Sequence, residues 1–114
     1  MALPLNVFKT ITKVATTNPV GIYTAPVGYT GVVLLAQVAN IDSVSHDVSL
    51  SHQRTSTAGI AVTTEMLKNF PISGNDTANL LSGKLVLESG DVLVLSGSNA
   101  SNLKFIGSIL ETLN

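Results

Sequence analysis

Short β-branched and apolar runs alternate with turns built from Pro, Gly, Asn and Asp about every ten to fifteen residues, the rhythm of an all-β chain. The runs predict strands over Val7–Ala15, Ile22–Thr24, Gly31–Ile41, His46–Arg54, Ile60–Lys68 and Leu103–Thr112. Asn18-Pro19-Val20-Gly21 and Ala25-Pro26-Val27-Gly28 supply turns, because Pro presets φ and Gly admits positive φ. Ile60–Lys68 is the one stretch where a helical turn competes, and Val62, Thr63 and Thr64 weigh it toward strand. Phe70-Pro71 is expected to end it. Leu85–Leu95 reads as a hairpin folded around Ser89-Gly90. About seven to nine short strands with brief connections predict a single domain over residues 1–114, an antiparallel β-sandwich of jelly-roll type.

The faces of these strands carry more information than their boundaries. In His46–Arg54, Val48 and Leu50 fall on one side and Asp47, Ser49, Ser51 and Gln53 on the other, a half-buried strand. Gly31–Ile41 is apolar on both sides. Strict alternation places Val33, Leu35, Ala39 and Ile41 together and Val32, Leu34, Ala36 and Val38 opposite them. Leu103–Leu110 repeats the pattern, with Ile106 and Leu110 opposing Leu103, Phe105 and Ile109. A sandwich buries only one face of each sheet, so the second apolar face needs a cover. The expected core takes Val33, Leu35, Val48, Leu50, Leu85, Leu87, Phe105 and Ile109. Val32, Leu34, Ala36, Val38, Ile106 and Leu110 are then the candidates for an interface with another subunit.

Composition sharpens this expectation. Charged residues make up 11% of the 114 positions, against about 25% in an ordinary soluble domain, while Ser, Thr and Asn contribute 12, 12 and 9. Six Lys and Arg against seven Asp and Glu give a net charge of −1, which argues against nucleic acid as a partner. With no Cys there is neither a disulfide nor a thiolate nucleophile. The longest apolar run, Gly31–Ala39, is broken by Gln37 and falls short of the ~18–20 residues a membrane helix needs. The N-terminus lacks a basic stretch followed by an apolar block, so no signal peptide is expected. These features describe a soluble chain acting where it is made, or in a particle assembled there.

Candidate chemistry is sparse. The two histidines, His46 and His52, lie six apart, which an extended strand turns into about 20 Å, too far for one metal. His46 beside Asp47, with Ser45 and Ser51 near, has the residue types of a hydrolytic triad, but strand neighbours point to opposite faces. Asn40–Asp47 gathers oxygen ligands in a turn, yet lacks the Gly and terminal Glu of a calcium loop, and an Asx-turn needs the same residues. Asn75-Asp76-Thr77 and Asn99-Ala100-Ser101 match a glycosylation pattern and read more simply as polar loops. Tyr23 and Tyr29 flank a turn they are expected to pack, and Trp is absent. No catalytic residue, metal ligand or cofactor is assigned.

Three blocks carry a family resemblance. They are Gly21–Leu34, containing Tyr23-Thr24-Ala25-Pro26-Val27-Gly28; Gln37–Asp42, containing Ala39-Asn40-Ile41-Asp42; and Gly83–Leu93, containing Lys84-Leu85-Val86-Leu87-Glu88-Ser89-Gly90-Asp91. Together they resemble small β-sandwich virion structural proteins of tailed bacteriophages, cyanophages included, over residues 21–95. The resemblance implies a non-enzymatic virion protein assembled in the host cytoplasm, foremost a capsid decoration (cement) protein. Its implied partners are its own copies, as a trimer or ring, and the major capsid protein or other virion subunits. A neck, tail, baseplate or fibre-attachment subunit is the alternative within that class, and a glycan-binding module the alternative outside it.

Overall fold

The structure, a computed structural model, describes residues 5–56 and 58–114, and every helix-or-strand element among them is a strand. In chain order these are β1 (Asn6–Val14), β2 (Val20–Thr24), β3 (Tyr29–Asn40), β4 (His46–Thr55), β5 (Ala61–Ile72), β6 (Thr77–Asn79), β7 (Leu85–Leu87), β8 (Val92–Gly97) and β9 (Leu103–Leu113). β5 runs on through Phe70-Pro71, beyond its expected end. It can do so because it is an edge strand, where a missing N–H breaks no interior ladder.

Five strands form one sheet in the order β1-β9-β3, with β6 and β7 sharing the far side of β3. The other sheet runs β2-β8-β4-β5, and every pairing is antiparallel. The chain changes sheet after β1, β2, β3, β5, β7 and β8, which makes the sandwich a jelly roll. Leu85–Leu95 is therefore a corner and not the expected hairpin: β7 pairs with β3 while β8 pairs with β2 and β4. Gly90 turns that corner at φ 87°, where a side chain would be strained. Backbone bonds between Gly90 N and Ala25 O (2.9 Å) and between Ala25 N and Asp91 O (3.0 Å) stitch it to the end of β2.

The core lies between the sheets, and Val33, Val48, Leu50, Leu87, Phe105 and Ile109 occupy it as expected. Leu85, half-buried, packs against its rim, and one expected core residue does not join it: Leu35 is 36% exposed. The cause is a β-bulge: β3 pairs with β9 in register at Val33↔Ile109 and resumes at Leu35↔Ser108, so Leu34 is an extra residue. The alternation slips by one there. Ala36 (2% exposed) and Val38 (0%) turn into the core, and both drop out of the interface candidates.

Candidate functional site

The outer face of the five-stranded sheet is where the apolar excess of the sequence is spent. Phe8 on β1 faces Leu110 on β9, Leu110 faces Val32 on β3, and Val32 faces Val86 on β7. Since cross-strand partners share a face, these side chains form one apolar row across four strands. Phe8 is 75% exposed and Val86 54%. The bulge adds Leu34 and Leu35 beside the row, and Ile106 lies one step further along between Thr12 and Gln37. Of the interface candidates, Val32, Leu34, Ile106 and Leu110 thus come together on this face. Phe8 and Val86 belong with them and were not among those candidates. Phe8 hides in the sequence because its nearest strand mates on that face are Asn6 and Thr10.

Lys104 is the one charged side chain that the described strands place on this face. Lys9 and Lys13, on the same edge strand as Phe8, lie on its other side, with Ile109 and Phe105 as their cross-strand partners. Inward-facing charges on an edge strand oppose the addition of a further strand there. The apolar row therefore favours contact through the face and not through the β1 edge.

Both histidines are engaged with carboxylates. His46 Nε2 lies 2.9 Å from Asp42 Oδ2, and Asn102 Nδ2 donates to the same oxygen at 3.2 Å. The His46 contact, then the Ser43 N–H, hold the Asp42 carboxyl below its ordinary range. His52 Nε2 lies 3.0 Å from Asp91 Oδ2, alongside the Arg54 guanidinium. Asp47 meets neither imidazole; its backbone N–H donates to Ser98 Oγ at 2.8 Å. No serine hydroxyl is bonded to a histidine among the described residues. The Asn40–Asp47 turn is held by Asn40 itself, whose buried amide donates to Val44 O and Ile72 O at 2.8 and 3.0 Å. Among the described residues no three His, Asp or Glu side chains converge in a metal-ligating group. Asn99 caps its loop by accepting from the N–H groups of Ser101 and Asn102.

Sequence reasoning missed one buried polar cluster. Tyr23 is buried and donates its hydroxyl to Glu111 Oε2 at 2.6 Å, while Lys9 Nζ sits 3.1 Å from Oε1 of the same carboxylate. Burial first, then the Glu111 carboxylate, push the Tyr23 phenol above its usual range. Residues 88 positions apart make this contact, so no local pattern announces it.

No protein-family model and no curated protein matches the chain by sequence. Among solved structures it is similar to a Bacillus endospore appendage, from a family of disulfide-linked pili, at TM-score 0.51 and 15% identity over 96% of this chain and 88% of that one. It is also similar to the viral particle protein of infectious bursal disease virus, at TM-score 0.55 and 12% identity over 97% of this chain. The chain spans 32% of that viral chain. A xylan-binding domain from Paenibacillus barcinonensis is more distant, at TM-score 0.48 and 11% identity over 91% of this chain and 71% of that one. The likeness is one of fold. A β-sandwich of this kind serves in structural assemblies such as the pilus and the viral particle, and this chain, without Cys, shares no disulfide linkage with the former.

Proposed function

We infer that this chain is a non-enzymatic structural subunit of a phage virion, a capsid decoration protein whose copies associate through the outer face of the five-stranded sheet. The observation that carries the reading is the row Phe8–Leu110–Val32–Val86, which leaves large apolar side chains in water on an isolated chain. The occupant of that face is a further copy of the chain. Contacts between like subunits are the most apolar class of interface, and this face offers one cation and no anion on its strands. A trimer or ring built this way rests on the major capsid protein. The resemblance of residues 21–95 to phage virion proteins and the shared fold with a viral particle support the setting. Both histidines, each held by a carboxylate and neither bonded to a serine hydroxyl among the described residues, support a role without catalysis.

Quantifying the chain against the major head protein on a denaturing gel of purified particles tests the role. Hundreds of copies per particle is the expected result. A single ring of copies would move the protein to the neck or tail, and absence from particles would overturn the reading.

A further inference from the structure

The outer face of the four-stranded sheet has the opposite chemistry. On the central strands its side chains are short: Ser49 and Ser51 on β4, Val94 and Ser96 on β8. On the edge strand β5 they are longer, and β5 departs from regular pairing between Val48 and Leu50 and again between Leu50 and Ser51. Asn69, at φ 52°, sits in the first irregularity and donates its N–H to Ser49 Oγ at 2.9 Å. Irregularities of this kind bend an edge strand. Short residues in the middle and longer ones at the side leave a groove of about 400 Å³, within the range of small-molecule sites.

Its lining decides the ligand class. Glu65 and Lys68 neutralise one another at 3.1 Å, so the groove presents no free charge to an ion. Val94 and Pro19 are its apolar residues, beside the aliphatic parts of its polar side chains, and it contains no aromatic ring for a base. Its uncharged polar groups are hydroxyls and amides. Gln53 reaches Thr63 Oγ1 only at 3.4 Å, and among the described residues the side chains of Ser51 and Ser96 have no hydrogen-bond partner, although Ser51 is nearly buried. Closely spaced groups that both donate and accept match the hydroxyls of a sugar. We propose that this groove binds a neutral oligosaccharide. The site is independent of what the opposite sheet docks against, and an oligomer joined through that opposite face leaves the groove open to solvent.

Amide chemical shifts of the ¹⁵N-labelled full chain test the proposal, with maltotriose, cellotriose and mannotriose as neutral probes and sialyllactose and inorganic phosphate as charged ones. At least one neutral trisaccharide should shift amides of residues 49–53, 63–69 and 94–96. Ser51→Val should weaken that binding by roughly tenfold, the loss of one hydrogen-bonding group. Gln53→Ala, at a half-exposed position, should weaken it in the same way even if Ser51→Val folds poorly. Phe8→Glu, on the other sheet, should leave it unchanged. No shift with any neutral probe, equal response to the charged probes, or binding indifferent to both groove variants would overturn the assignment.

Discussion

Arg54 grips Asp91 with two hydrogen bonds, Nε to Oδ1 at 2.9 Å and Nη2 to Oδ2 at 2.7 Å. Arg54 lies on β4, and Asp91 ends the corner by which the chain passes from one sheet to the other. The same carboxylate meets His52 Nε2 at 3.0 Å and accepts the Glu88 N–H at 2.9 Å, while Arg54 Nη2 also reaches Glu88 Oε2 at 3.0 Å. A buried carboxylate with four donors around it pins the corner that separates β7 from β8. Asp91→Asn should lower stability by about 1–3 kcal/mol, read from chemical denaturation, because the amide returns only part of those contacts.

Acid should release the same pin. Hydrogen bonds from Arg54, ahead of that from His52, hold the Asp91 carboxyl well below its ordinary range, and His46 lowers Asp42. For a carboxyl depressed in the folded state, the unfolded chain binds the proton more readily. Its contribution is whole above the unfolded value near ~4 and is lost as pH falls through the folded one. Melting temperature should therefore drop below about pH 4, and Asp91→Asn should show a shallower acid decline than the parent. Identical acid slopes would contradict this account.

The bulge in β3 makes a sharp contrast between neighbours. Leu34→Glu and Leu35→Glu should both fold, since both side chains point outward. Val38→Glu, which buries an unpaired carboxylate, should not fold. Phe105→Ala, emptying a core site that is 3% exposed, should cost about 3–5 kcal/mol. Circular dichroism and thermal melts distinguish all four.

Gly74 allows two turns to touch. A Cβ added there would lie 2.2 Å from Ser43 O and 2.4 Å from Ser43 C, which are backbone atoms and cannot swing aside. Gly74→Ala should therefore destabilise by about 1–3 kcal/mol by thermal melt, while Gly83→Ala, with nothing within 4 Å of the added carbon, should be near neutral.

Much of the sandwich is legible in the sequence because its turns are marked by Pro, Gly and Asn and its strands by β-branched runs. The faces of β4 follow from simple alternation, Val48 and Leu50 inward. β3 defeats the same rule. Val32-Val33-Leu34-Leu35 is apolar at every position, so an inserted residue leaves no trace in the pattern, and the slip that exchanges Leu35 for Ala36 shows only in the register with β9. The corner at Gly90 has the spacing of a hairpin; what separates β7 from β8 is pairing with distant strands, secured by an arginine 37 residues away. On the outer face of the five-stranded sheet, Val32 and Leu110 stand out in apolar strands, whereas Phe8 and Val86 join them only through pairing.

Sedimentation equilibrium of the purified full chain, beside a Phe8→Glu/Val86→Glu variant, tests the central claim most directly. The apolar surface that association buries is worth roughly 25 cal/mol per Å² before association costs are subtracted, and two carboxylates in the row would remove that gain. The parent chain should sediment as a closed oligomer, and the variant as a folded monomer that melts cooperatively at a lower temperature, having lost the stability that association adds. A parent chain that stays monomeric at its highest soluble concentration, or a variant that assembles as the parent does, would contradict the claim that this face joins the subunits.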